Sequence, residues 1–278
     1  MSTPSDSQLI CSAQLASLVA LPVWYPWYRA TTLAKQEILL SCKPNNMTHL
    51  VNFCGWGNFK SLNGILTYYK GFVPTLCFQP VYPAVIYEKT FLNRKLFDGK
   101  PTIYQDCMLS VGVGASTAFV ATPLNVVLTQ VFRDKDTKPT QIIKSFYNQY
   151  GITRFFSGLK PFILRNSLFC TGLTVVYPNT QKYVAEKYPN VAYYKSDILF
   201  SGIVSAIICS GMVDFFDIIG VMRQSHQYKD KSSLKLLQEV YLKHGTRGLF
   251  VGFTPKIMQV MSEIIVFNET FKYFIKNV

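Results

Sequence analysis

Acidic residues are scarce in this sequence: 15 Asp and Glu stand against 28 Lys and Arg, and charged residues of both signs make up only 15% of 278 positions. Ordinary soluble domains carry about 25%. So little charge argues against disorder and against a typical soluble domain, while the formal charge of +13 points to an acidic partner: nucleic acid, anionic lipid or an anionic solute. Any long, uniformly apolar run is also missing. Mean hydropathy is +0.17, too low for helices that meet lipid on every side and suited to spans with one polar face. The seven cysteines (Cys11, Cys42, Cys54, Cys77, Cys107, Cys170 and Cys209) are widely spread and form no Cys-x-x-Cys pair, so neither a disulfide framework nor a zinc site follows. His49, His226 and His244 have no Cys or His companion at ligand spacing. There is no phosphate-binding Gly-x-x-x-x-Gly-Lys-Ser/Thr loop, no nucleophile elbow and no paired-carboxylate site. No catalytic residue, metal or chemical cofactor is expected, and the chain does not read as an enzyme. Met1–Ile10 carry Asp6 and no basic residue, so no secretory signal or Arg-rich transit peptide is visible there.

What the sequence does contain is a repeat. Gly-x4-aromatic-x-Gly-x2-Pro occurs as Gly64, Tyr69, Gly71 and Pro74, then as Gly151, Phe156, Gly158 and Pro161, then as Gly245, Phe250, Gly252 and Pro255. The chain therefore divides into three units of roughly 90 to 100 residues, placed at 8–97, 98–190 and 191–278 within one membrane domain. Each unit opens with a long apolar segment: Gln8–Ala34, Tyr104–Phe132 and Ser196–Met222. A polar connection and a short amphipathic stretch follow, at Lys60–Tyr69, Thr140–Tyr150 and Ser232–Lys243. The glycine motif then enters a second apolar segment, Gly71–Phe91, Gly158–Tyr183 or Gly252–Ile275.

All six long segments reach about 20 residues, enough to cross a bilayer as helices. Polar residues such as Gln79, Asn125, Arg165, Asn166, Asp217 and Gln259 interrupt them and must face protein or water. The predicted fold is an all-α membrane protein: six transmembrane helices in three tandem helix pairs, with both termini on one side. Ala13 and Ser17, Ser110 with Gly112 and Gly114, and Gly202 with Ala206 are expected to let neighbouring helices approach closely.

This threefold unit, with its linker helix and its aromatic-x-Gly-x-x-Pro entry, resembles the mitochondrial carrier family over roughly residues 8 to 276. The resemblance implies the mitochondrial inner membrane, short amphipathic helices on the matrix side, both termini in the intermembrane space and a central solute cavity. It also implies cardiolipin, an anionic lipid, bound at the helix N-termini that Lys70, Gly71, Gly158 and Gly252 form. Backbone N–H groups at such a turn suit a phosphate on dipole grounds. The basic residues of the second and third connections, Lys256 among them, are expected to face the matrix. Aromatics gather in the spans and their ends instead of interleaving with those basic runs, so nucleic acid is not an expected partner.

The family's matrix gate is Pro-x-Asp/Glu-x-x-Lys/Arg near the end of each odd helix. The matching positions are Pro26, Tyr28 and Thr31; Pro123, Asn125 and Leu128; and Phe215, Asp217 and Gly220. Two prolines and one acid survive, no base does, and Asp217 is left without a partner in this register. The opposite gate, on the even helices, maps to Phe91 and Arg94, to Pro178 and Gln181, and to Lys272 and Ile275. No acid stands at its expected places, and Pro178 should bend its span. The family's solute positions correspond to Phe78, the pair Arg165-Asn166, and Gln259. An Arg-Asn pair resembles that of carriers of keto acids and other carboxylates. Arg165 either holds such a solute or pairs with an internal acid, a carbonyl or a structural lipid.

On sequence alone, two degenerate gates make the chain read first as a non-transporting structural or assembly subunit of a large inner-membrane, respiratory-chain complex. The alternative is a divergent mitochondrial carrier exchanging a small anionic metabolite such as a carboxylate or keto acid.

Overall fold

A computed structural model describes residues 5–40, 69, 71–76, 80–133, 139–189, 196–224 and 232–277. Among them every regular element is helical. The first unit supplies α1 (Asp6–Leu40), the short α2 (Phe72–Thr75) and α3 (Val81–Phe97). The second supplies α4 (Ile103–Arg133), α5 (Pro139–Tyr150), a 3-10 turn (Ile152–Phe156), α6 (Leu159–Thr171), a π-helical turn (Gly172–Val176) and α7 (Tyr177–Lys187). The third supplies α8 (Ser196–Gln224), α9 (Ser233–Leu249) and α10 (Phe253–Asn277). The predicted stretch Lys60–Tyr69 lies outside the described residues apart from Tyr69.

Local chemistry explains where these helices begin. Ser5 and Gln8 exchange side-chain to backbone hydrogen bonds (2.9 and 3.3 Å) at the start of α1, and Thr102 and Gln105 do the same (2.8 and 3.4 Å) at the start of α4. Each pair is a capping box that satisfies two backbone donors. The even helices start differently. Gly71, Gly158 and Gly252 take left-handed φ of +83°, +84° and +79°, and their carbonyls accept the first helical N–H from Thr75, Phe162 and Lys256. Those turns also need the missing Cβ. One added to Gly158 would lie 3.2 Å from the Gly220 carbonyl on α8, and one added to Gly252 would lie 3.4 Å from the Thr31 carbonyl on α1.

Packing runs round a ring. α1 lies on α3, α3 on α4, α4 on α6, α6 and α7 on α8, α8 on α10, and α10 back on α1. Small residues make the closest approaches. A Cβ on Gly114 would lie 2.5 Å from the Ser167 backbone, and one on Gly202 would run 2.3 Å from Ile265. Gly112 departs from expectation: nothing lies within 4 Å of it, because it falls on the outer face of α4. The connections α5 and α9 sit on the bundle by one stripe each, burying Ile142 with Phe146 and Leu236 with Val240.

The prolines of α1 and α7 do not break those helices. α1 contains Pro22 and Pro26. Pro26 has no N–H for the Pro22 carbonyl, and the Tyr69 hydroxyl donates to it instead (3.1 Å). Pro178, expected to bend its span, follows the π-helical turn, and Thr171 and Tyr177 at the two junctions keep right-handed helical angles. The Thr174 carbonyl, four residues before Pro178, accepts from Lys89 Nζ at 3.3 Å.

Among the described residues two helices, α1 and α4, are long and apolar enough to cross a membrane, and α8 makes a third when its two halves count as one bent span. α10 is less apolar because it carries Lys256 and Glu263, yet these are only 2% and 3% exposed. Its charge faces protein, which is the arrangement polar residues need at membrane depth.

Candidate functional site

The ring surrounds a cavity of about 100 Å³, lined in part by Trp24 and Tyr28 of α1, Asn125 of α4, Arg165 and Asn166 of α6, and Gln259 and Glu263 of α10. A second, much smaller space of about 20 Å³ is lined by Lys35, Thr129, Asp217 and Lys256, among others. Tyr28, Asn125 and Arg165 line both. The Tyr28 hydroxyl donates to Asn125 Oδ1 at 2.9 Å, so this pair and the Arg165 side chain form the septum between the two spaces.

Below the septum lies an ionic cluster that corrects the sequence reading. Asp217 is not partnerless. Arg165 Nε approaches its Oδ1 at 2.6 Å, and Lys256 and Lys35 approach its Oδ2 at 2.9 and 3.3 Å. Lys35 also pairs with Asp214. The three cations come from α1, α6 and α10, one from each unit, and converge on α8. Lys35, Asp214, Asp217 and Lys256 are all buried, and a buried cluster of this kind stands only because each charge is compensated at short range. The Arg165 guanidinium also lies 5.3 Å from the centre of the Phe162 ring, a cation–π contact.

These partners were hidden because each is displaced from its expected slot. Lys35 stands one helical turn beyond Thr31, and Lys256 enters from the even helix. Lys256 was expected among matrix-facing basic residues; it points inward and also donates to Gln259 Oε1 at 3.3 Å. Gln259 in turn donates to Glu263 at 3.4 Å. The spacing Lys256-x-x-Gln259-x-x-x-Glu263 marks one helical face and was the available signal. The remaining matrix-gate positions do structural work: Leu128 is core, Phe215 meets Phe250 edge-on at 5.3 Å, and Gly220 receives Phe162 and Gly158.

The far end also holds ionic contacts, in which the expected gate positions Arg94, Gln181 and Lys272 meet partners outside the motif. Lys272 Nζ donates to Gln181 Oε1 at 2.6 Å and to Glu269 at 2.7 Å. Gln181 donates to Asp197 at 3.2 Å. Arg94 pairs with Asp6 (2.9 Å), and Lys89 pairs with Asp106 (2.8 Å). Phe91 and Pro178 are exposed instead of lining this end, Phe91 stacking on Tyr87 at 6.2 Å. Ile275 is half-buried near the end of α10. Of the expected solute residues, Arg165, Asn166 and Gln259 line the same cavity. Phe78 lies outside the described residues, as does Lys70 of the lipid motif.

A ring of helices around a central cavity, with cations from all three units meeting beneath it, defines a helical-bundle protein with a candidate small-molecule site. Residues 99–188 and 195–278 match the mitochondrial carrier protein family, and the chain belongs to that family. It is 26% identical over 217 residues to a thylakoid ADP,ATP carrier protein of Arabidopsis thaliana, covering 75% of this chain and 50% of that protein. It is 22% identical over 233 residues to a mitochondrial glutathione transporter of Danio rerio, covering 76% and 64%. It is 23% identical over 201 residues to a mitochondrial glycine transporter of Danio rerio, covering 70% and 69%. The chain thus spans about half to two thirds of the length of these relatives. Membership implies a multi-pass protein of the mitochondrial inner membrane.

Proposed function

We propose that the chain is a solute carrier of the mitochondrial inner membrane that exchanges a small carboxylate-bearing metabolite. In this reading six helical columns span the membrane, both termini face the intermembrane space, and the Lys35–Asp217–Lys256 cluster is the closed matrix gate. The observation that carries it is the double position of Arg165, which lines the cavity while its Nε holds Asp217 at 2.6 Å. A carboxylate entering the cavity competes for the same guanidinium, so solute binding and release of the gate draw on one cation. The relatives, whose names describe transporters of glutathione, glycine and 2-oxodicarboxylates, support transport as the general activity.

A non-transporting subunit of a respiratory-chain complex was motivated by missing gate contacts. Those contacts are relocated, not lost, and the motive goes with them. Cardiolipin belongs in this proposal at the turns of Gly158 and Gly252, where left-handed glycines open helix N-termini.

The test is counter-exchange in cardiolipin-containing liposomes loaded with carboxylates. Arg165→Ala and Arg165→Lys should both lose saturable uptake, since a lysine offers no planar fork to grip a carboxylate bidentately. Uptake that survives Arg165→Ala would overturn this assignment.

A further inference from the structure

The carboxylates of the interior are not treated alike. Asp214 is paired with Lys35, and Asp217 is paired with three cations. Glu263 lines the larger cavity, is 3% exposed, and has no cationic partner among the described residues. Its contact is a 3.4 Å hydrogen bond from the Gln259 amide, whose orientation Lys256 sets from the other side. One long amide hydrogen bond under-compensates a buried carboxylate. Opposite in charge, Arg165 lines the same cavity and spends its Nε–H on Asp217, leaving its terminal NH2 groups for a bidentate carboxylate.

The charge sum points the same way. With Glu263 ionised, as an ammonium beside it would hold it, Lys35, Arg165 and Lys256 stand against Asp214, Asp217 and Glu263, and the described charges of the cavity and the cluster beneath it balance. A dicarboxylate or oxo acid would bring uncompensated negative charge into this neutral interior. A solute carrying both signs would not.

We infer that the cavity is built for a zwitterion, an α-amino-acid-like solute whose carboxylate faces Arg165 and whose ammonium faces Glu263. This rests on the carrier reading and narrows it. Trp24, Phe169 and Leu173, which also line the cavity, offer an apolar wall for the solute's side chain.

The experiment uses matched pairs that differ only in the group Glu263 meets: alanine with pyruvate, leucine with 4-methyl-2-oxopentanoate, and glutamate with 2-oxoglutarate. Uptake of each labelled solute is measured with the full chain in cardiolipin-containing liposomes, alongside thermal shifts of the detergent-solubilised protein. The amino acid of a pair should enter in preference to its oxo analogue. Glu263→Gln should lower that uptake about ten- to a hundredfold, the worth of one charged hydrogen bond, and level the preference. Glu263→Asp, which keeps the charge, should retain the preference and carries the comparison where Glu263→Gln does not survive extraction. A wild-type preference for the oxo analogues, or a ratio unchanged in the Glu263 variants, overturns the inference and leaves the carrier reading standing. So does oxo-acid uptake that follows an imposed pH gradient only while Glu263 is present, because a proton would then occupy the ammonium's place. If no solute of either series enters or stabilises the wild-type protein, the carrier reading itself falls.

Discussion

The Tyr69 hydroxyl donates a hydrogen bond to the Pro22 carbonyl at 3.1 Å, the carbonyl that Pro26 leaves without its helical donor. The same ring stacks on Tyr25 at 6.1 Å and meets Phe72 edge-on at 5.7 Å. Tyr69→Phe keeps the rings and removes only the donor. It should cost about 1 kcal/mol, read as a lower thermal unfolding midpoint in detergent. An unchanged midpoint would mean that solvent or lipid serves the carbonyl instead.

Asp217→Asn leaves three cations facing one another without their shared anion. Removing one member of a buried ionic cluster costs about 3–5 kcal/mol, against at most about 1 kcal/mol for a surface pair. Unfolding midpoints of Asp217→Asn and of Asp6→Asn, which breaks the exposed pair with Arg94, should therefore differ widely. Equal midpoints would show that the cluster is not compensated as described.

Lys35 and Asp214 should be energetically coupled. Lys35→Met strands Asp214, Asp214→Leu leaves Lys35 only its longer contact with Asp217 at 3.3 Å, and the double variant removes both members of the pair. The double-mutant cycle should return a coupling of about 2–3 kcal/mol. Simple additivity would place the two side chains apart in the folded protein.

Three glycines should respond with different signs. Gly112→Ala, on the open face of α4, should stabilise by about 0.5–1 kcal/mol through helix propensity. Gly114→Ala runs into the Ser167 backbone at 2.5 Å, and Gly158→Ala is strained at φ +84° and pressed against Gly220. Both should lower the unfolding midpoint, and a rise in either would contradict the close approach.

Much of this architecture was legible in the residues. Gly71, Gly158 and Gly252 mark even-helix entries because the turn needs a positive φ, and such a need is written in one residue type. Ser5-x-x-Gln8 and Thr102-x-x-Gln105 carry an equally local signal, one that the segment bounds at Gln8 and Tyr104 did not use. The partners of Asp217 were not legible. Whether it meets Thr31 or Lys35, one turn further on, depends on the axial offset between helices distant in sequence, and a lysine stem is long enough to cover that offset. Glu263 was overlooked for a related reason: its significance lies in a missing partner, and a missing partner cannot be read from one segment.

The balance of three cations and three carboxylates bears on what the membrane potential can do. Moving one elementary charge through the field is worth about 2.3 kcal/mol per 100 mV. Where those six charges shift together they carry no net charge through the field, and the potential then acts through the solute carried. For a solute that is itself neutral overall, exchange should run at the same rate in polarised and depolarised vesicles.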